Sequence, residues 1–586
     1  MKNILYTLMA GVLLLSACSK SLDKEPLSQI SPDKSFSSEN ELHLYVLSFY
    51  DKMLPYADYD DNGFTSLYGE TSDNIVTNSL DGKLTGNRLV PVSGGGWTWD
   101  NLRNVNYFLQ NYQRGGLSPN ITQKYAAVAK FFRAYFYANM VEHFGDVPWY
   151  SKPIETTDNA ALTKARDPRT LVMDSVVNDI DFAIANLPVT QSPGEVNKWT
   201  ALALKSRLCL FEGTFRKYHT EFKLPDADRF LQLAADAAQQ VIDQGPYTIY
   251  STTPDKAYAD LFHSLTVNPT EVILARQYSA SLQIFHNVNY YTVSPSFGKP
   301  GLEKKLVNTY LMKDGSRFTD KPGYASMQFL QETKDRDPRL AQTVRTPGYK
   351  RVDGTTVLAP SYSGTVTGYQ LTKFVTAAAN DANGKSPTPL PIFRYAEVLL
   401  NFAEAKAELG TLTQADLDKS IKRLRDRVGM PGLTLTSANA NPDPYLVAQY
   451  THVNGGNAGV ILEIRRERRI ELVMEGFRWN DLMRWKEGHL LALQYKGAYF
   501  PGTGSFDLDG DGKTDLVIYD GTQPSVPDAQ FLKLGTDVTL ENGAAGGDIT
   551  VNPNTPKKFN EDRDYLYPLP TQDILLNPNL KQNPNW

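Results

Sequence analysis

A mainly helical fold is predicted for this 586-residue chain: a scaffold of paired helices carrying large loop-rich insertions with short β elements. Three observations predict it. Several long segments place apolar residues at the 3.6-residue period of amphipathic helices. Those segments come in pairs that end near glycine, the residue best suited to a helix stop. Between the pairs, residues 246–390 and 491–560 lose that period and fill with Pro, Gly, Ser, Thr and Tyr. Loops of such length inside a compact protein are usually functional. The expected division is therefore one folding unit over 37–586, with scaffold mainly at 37–245 and 391–490 and ligand-facing insertions mainly at 246–390 and 491–560.

At the N-terminus, Met1 and Lys2 precede a stretch without charge from Asn3 to Ser19. Its most apolar part, Ile4 to Leu15, would form roughly 18 Å of helix at 1.5 Å per residue. That is short of the roughly 30 Å bilayer core. A positive start, a short apolar core and small residues before a cut site describe a secretory signal, here residues 1–17. Leu15-Ser16-Ala17-Cys18 reads like a bacterial lipobox, in which Cys18 is lipidated and becomes the new first residue. Two or more acyl chains hold a protein stably at a membrane, and the polar residues 18–36 would serve as the tether. Only Cys209 then remains, so no internal disulfide can form and the core must hold the fold. Cys209 lies in the apolar helical pattern "ALALKSRLCLFEGTF" and is expected in that core rather than as a nucleophile.

The helices follow in order. "ITQKYAAVAKFFRAYFYANMVEHFG" sets small Ala126, Ala129 and Ala134 among large aromatics, which lets helices approach closely. His143 falls at its end. "KWTALALKSRLCLFEGTF" and "RFLQLAADAAQQVIDQG" form another pair. In "RYAEVLLNFAEAKAELG", Tyr395, Val398, Leu399, Phe402, Ala405 and Leu409 lie on one stripe, with Glu397, Asn401, Glu404 and Glu408 on the other face. These pairs loosely resemble helix-turn-helix repeats of the tetratricopeptide kind, without a regular 34-residue period. In "ILEIRRERRIELVMEGFRWNDLMRW", Arg465, Arg466, Arg468 and Arg469 are matched by Glu463, Glu467, Glu471 and Glu475 at spacings that allow pairing along a helix. An ion-pair network in a helix is expected there. The net charge of −5, from 60 basic and 65 acidic side chains, likewise excludes a basic nucleic-acid surface.

The segment "RRERRIELVMEGFRWNDLMRW" resembles the C-terminal signature of the SusD/RagB family, surface nutrient-binding lipoproteins of Bacteroidetes. "LVNTYLMKDG", "RDPRL", "RYAEVLLNFAEAKAELG" and the ending "YLYPLPTQDILLNPNLKQNPNW" agree in order, as do "WTWDNLRNVNYFLQN" and "KFFRAYFYANMVEHFGDVPW" near the front. The resemblance covers nearly the whole chain, lipobox included. It implies a SusD-like fold and a protein held on the outer-membrane surface by its lipid, beside a SusC-like TonB-dependent transporter. Such a protein captures an oligosaccharide or a peptide and hands it inward, as a binding protein rather than an enzyme. Glycan is the expected ligand, with oligopeptide as the alternative. A surface glycoside hydrolase is the runner-up from another class, because paired carboxylates cannot be recognised among 65 acidic residues from sequence.

Sugars stack their CH faces on aromatic planes while amides and carboxylates take their hydroxyls. Family members build such sites from aromatics in irregular loops. The candidates by position are Trp97, Trp99 and Asn101 in "GGGWTWDNL", Tyr68, Asp73 and Asn74 in "YGETSDNIVTN", and Tyr290 and Tyr291 in "FHNVNYYTVSPSFG". The glycines before Trp97 would let its indole project, although either tryptophan could instead pack beneath the first helix. The histidines form no metal-ligand spacing such as HExxH, no GxSxG elbow is present, and no cofactor is required. In "DLDGDGKTD", Asp507, Asp509, Asp511, the Lys513 carbonyl and Asp515 sit at the spacing of a calcium loop. Ile518 replaces the bidentate glutamate of an EF-hand, so the segment is either another kind of Ca²⁺ loop or an Asp-Gly turn between strands.

Overall fold

The computed structural model describes residues 36–56 and 72–586. The expected signal segment (1–17), Cys18 with nearly all of the expected tether, and Tyr68 lie outside the described residues.

The helical scaffold comprises α1 (Glu39–Met53), α2 (Asp100–Asn111), α3 (Pro119–Phe144), α4 (Arg169–Asn186), α5 (Lys198–Tyr218), α6 (Ala227–Gln244), α7 (Tyr395–Glu408), α8 (Ala458–Glu471) and α9 (Arg478–Arg484). Their ends obey local chemistry. Pro119 at the start of α3 has no amide to leave unpaired, and Gly145 ends that helix at φ 72°. A capping box opens α5: Asn197 Oδ1 accepts from the Trp199 and Thr200 amides at 3.0 Å, and Thr200 Oγ1 accepts from the Asn197 amide at 3.4 Å. Neighbours in sequence pack as antiparallel pairs, α3 on α4 and α5 on α6. At Gly213 the second pair is so close that a Cβ would come within 2.8 Å of Leu231 Cγ.

Residues between the helices form only short sheets: β1 (Ile75–Val76) with β3 (Gly301–Leu302), β2 (Val272–Arg276) with β4 (Leu390–Arg394), β5 (Tyr495–Phe500) with β9 (Gly547–Val551), and β6 (Gly504–Phe506) with β7 (Leu516–Tyr519), which also pairs in parallel with β8 (Gln530–Lys533). The insertions also hold brief helices such as Ala257–His263 and Val288–Val293. At six or seven residues these are too short to show a helical period in sequence. Among the described residues no helix is long and apolar enough to cross a membrane.

Two large apolar cores result, with a small third cluster of Phe211, Phe215 and Leu566. One fills the helical pairs and includes Phe131, Phe132, Leu202, Cys209 and Leu399; the other fills the insertion side and includes Tyr258, Leu306, Tyr369 and Trp485. Cys209 is fully buried, as expected, and burial pushes its thiol up to about 12.

The segment around α8 belongs to both cores. Val460, Ile461 and Ile464 join the first, while Leu462, Ile470 and Val473 join the second. Its charged residues lie between the two, and here the structure corrects the expected pairing. Of the four arginines and four glutamates expected to pair with one another, only Glu463 and Arg466 (3.0 Å) do so among the described residues. The other partners lie outside α8: Asp481 on α9 for Arg468 (2.8 Å), Asp73 for Arg469 (2.9 Å), Arg425 for Glu467 (2.8 Å) and Arg394 for Glu471 (2.7 Å). A helix enclosed on every side finds its counter-charges across the fold rather than along its own turns. The polar face of α7 is corrected in the same sense. Glu397, Asn401, Glu404 and Glu408 are all buried, and Arg207, Arg468, Arg484 and Lys217 hold them in that order.

Candidate functional site

The structure gathers the described candidates into three groups, and two of them are structural. Trp97 is 5 % exposed and packs edge-on against Trp99 (5.2 Å) and Phe144 (4.9 Å). Trp99 is half-buried against Phe136, Tyr137 and Tyr150. Gly94, Gly95 and Gly96 all adopt positive φ, so they turn the chain inward and let Trp97 enter the core instead of projecting it. Asn101, in the first turn of α2, donates to the Lys52 carbonyl at 3.3 Å and thereby ties α2 to the end of α1.

Asp73 and Asn74 are likewise withdrawn from solvent. Asp73 is fully buried and accepts from Arg478 Nε (2.6 Å), Arg478 Nη2 (2.8 Å) and Arg469 Nη2 (2.9 Å). Asn74 Oδ1 accepts from Arg469 Nε at 2.7 Å. Burial alone would raise the Asp73 carboxyl, but Arg469 and Arg478 hold it far below the usual carboxylate range. With both oxygens engaged by guanidinium groups and no exposed surface, Asp73 is a clamp between the N-terminal part and α8–α9 rather than a ligand contact.

The third group lies at an accessible surface. Tyr290 and Tyr291 sit on the short helix Val288–Val293 and meet Phe297, with centroid separations of 5.7 Å between the tyrosines and 4.9 Å from each to Phe297. Tyr290 and Phe297 are half-buried, and Tyr291 is 8 % exposed. The helix is pinned from below. His286 Nδ1 accepts from the Val288 amide (3.1 Å), its Nε2 contacts the Thr388 carbonyl (2.9 Å), and Asn289 Oδ1 accepts from the Thr376 amide (2.7 Å). Burial lowers the His286 imidazole to about 4, so it stays neutral and can keep accepting from Val288.

Directly after Phe297 the chain enters a groove of about 300 Å³, lined by Asn78, Lys299, Thr365, Asp537, Thr539 and Asn552 among others. Hydrogen bonds lace its floor from separate segments: Asn78 N to Gly298 O (2.8 Å), Val366 N to Lys299 O (2.9 Å), Thr550 N to Thr539 O (2.9 Å) and Asn552 Nδ2 to Thr77 O (3.0 Å). A polar groove thus begins at Lys299, two residues after Phe297, and none of Tyr290, Tyr291 and Phe297 lines it. It can take a ligand with apolar faces and many hydroxyls. Phe297, Lys299 and the groove residues were not singled out from sequence. Their only signal was membership of the loop-rich stretches, because the groove is assembled from segments hundreds of residues apart.

The 507–515 loop joins β6 to β7, so it is a strand-to-strand turn. It still brings the carboxylates of Asp507, Asp509 and Asp511 within 4.8 Å of one another. Asp515 is not among them: its Oδ2 is occupied by the loop's own backbone, accepting from the Leu508 (2.7 Å) and Asp509 (3.2 Å) amides. A cation there would be held chiefly by the first three.

A family model described as the SusD family matches residues 270–586, and one described as "Starch-binding associating with outer membrane" matches residues 94–210. SusD-like protein P38 of Formosa agariphila is 24% identical over 516 residues, covering 82% of this chain and 91% of its own. A SusD-like carbohydrate-binding protein of Bacteroides fragilis aligns at a TM-score of 0.68 with 22% identity, over 93% of this chain and 99% of its own. A structure solved with a xylogluco-oligosaccharide aligns at 0.58 with 18% identity, over 92% and 97%. The mainly helical architecture is common to them.

Proposed function

The chain belongs to the SusD family, and from that premise we propose that it is a cell-surface glycan-binding lipoprotein, anchored through Cys18, that passes oligosaccharide to a SusC-like TonB-dependent transporter. The observation that carries the glycan reading is the Tyr290–Tyr291–Phe297 cluster, with a groove of amide, hydroxyl and carboxylate groups beginning two residues further along the chain at Lys299. An oligosaccharide long enough to reach from the cluster to the groove would find hydroxyl partners in Asn78, Thr365 and Asn552. The starch-binding family description and the oligosaccharide-bound neighbour support the same ligand class.

The groove's acid content supports a reading of binding without cleavage. Glycoside hydrolysis uses two carboxyl groups roughly 5 to 9.5 Å apart. Among the described residues lining this groove only Asp537 is acidic, and its Oδ2 already accepts from the Lys533 amide at 2.8 Å. Calcium in the 507–515 loop belongs to this proposal as a structural element rather than as part of the ligand site.

The test is a panel of polysaccharides and oligopeptides read by affinity electrophoresis and calorimetry, with a reducing-end assay alongside. Saturable binding to a glycan without cleavage is expected. Binding of oligopeptides alone would replace the glycan reading, and release of reducing ends would replace the binding reading.

A further inference from the structure

A second cleft, of about 480 Å³, lies in the helical scaffold between α3, α5 and α9, and it shares no lining residue with the groove. Aromatic side chains line it: Tyr56, which is 54% exposed, and Phe477, Trp479 and Tyr567, which are half-buried. Most of the cations at its base are already satisfied. Arg207 donates to Glu397 (2.6 and 2.7 Å) and to the Ile392 carbonyl (2.6 Å). Arg468 and Arg484 both donate to Asp481, at 2.8 to 3.0 Å.

Two further ionisable groups line the cleft. Glu142 takes one hydrogen bond, from Asn480 Nδ2 to its Oε2 (2.9 Å), and among the described residues no cation forms an ion pair with it. The Lys83 ammonium lies 5.2 Å from the Trp479 ring and 5.6 Å from the Tyr567 ring, and the Tyr567 side chain and the Asp81 carboxylate both favour its charged form. The cleft lining thus carries groups of both signs rather than a single charge. A neutral polyol suits such a lining, since its hydroxyls can donate to Glu142 and accept from Lys83 while its CH face lies on an aromatic ring.

We propose that this cleft is a second, separate binding site, for a neutral saccharide of one or two pyranose units, with Trp479 and Tyr56 as stacking surfaces and Glu142 and Lys83 as hydroxyl partners. Burial pushes the Glu142 carboxyl up to about 7, so near neutrality it can both donate to and accept from a hydroxyl. Two sites on one chain would let a polysaccharide be held at one point while its end occupies the groove. Such linkage raises overall affinity about 10²- to 10⁴-fold over either site when the geometry allows both to engage.

Saturation-transfer NMR on the purified protein tests this, with the methyl glycosides of glucose, galactose, mannose and xylose as probes and glycylglycine as the zwitterionic comparison. At least one methyl glycoside is expected to receive saturation. Its affinity should fall about 5- to 150-fold in Trp479→Ala, as loss of a stacking ring predicts. Tyr56→Ala, at an exposed position that does not threaten folding, should weaken it in the same direction. The cleft site is overturned if no methyl glycoside receives saturation, if glycylglycine alone does, or if the signal survives Tyr56→Ala and Trp479→Ala unchanged. Saturation abolished by Tyr290→Ala but retained in Tyr56→Ala would assign the sugar to the groove alone, and would also overturn the second site.

Discussion

Replacing Asp73 with alanine separates a buried clamp from a ligand contact. In the structure Asp73 holds Arg469 and Arg478, whose side chains are 0% and 2% exposed. Truncating one partner of a buried ion pair leaves an uncompensated charge and costs about 3–5 kcal/mol. Unfolding entropy near 2.1 cal/mol/K per residue scales to about 1.2 kcal/mol/K over the 586 residues. Asp73→Ala should therefore lower the thermal midpoint by about 2–4 °C if the chain melts as one unit. Asp73→Asn should destabilise in the same direction, because its amide would point donors at donors. Scanning calorimetry gives the midpoint, and glycan calorimetry below the transition gives the affinity. The expected result is a lower midpoint with affinity retained. An unchanged midpoint together with abolished glycan binding would refute the clamp and return Asp73 to the ligand site.

Trp97→Ala should behave alike. Removing a buried aromatic costs about 3–5 kcal/mol, so a melting or denaturant series should show destabilisation, with glycan affinity unchanged in the folded fraction. Acid should destabilise the fold through Asp73, Glu404 and Glu471. Burial alone would raise these carboxyls, but Arg469 and Arg478, then Arg484, then Arg427 and Arg394 hold them below their unfolded values. Their stabilisation is complete above the unfolded carboxylate range near pH 4.5 and is lost as the pH falls toward the folded values, so the midpoint should drop steeply below about pH 4.5. Calcium titration by calorimetry should give heat that Asp509→Ala abolishes. An absence of heat in the parent protein would leave the 507–515 loop as a plain hairpin turn.

The helical class and the positions of the long helices were legible because amphipathic period and glycine stops are local signals. The same locality explains the errors. Arg469 could be read only against Glu residues three or four places away, whereas its partner Asp73 lies 396 positions earlier. Trp97 after three glycines looked presented, because sequence does not show which way positive-φ turns aim the next residue. Tyr290 and Tyr291 were found through their loop-rich setting. Phe297, Lys299 and Asn552 lie in the same loop-rich stretches, but nothing in the sequence distinguishes them from their neighbours there.

Calorimetry of the protein with the glycan selected from the panel, comparing the parent chain with Tyr290→Ala and Asn78→Ala, tests the central claim most directly. Stacked rings contribute about 1–3 kcal/mol, or about 5- to 150-fold in affinity. The account predicts a loss in that range for Tyr290→Ala and a smaller one for Asn78→Ala, with thermal midpoints preserved. Affinity unchanged in both variants would show that the glycan is held elsewhere.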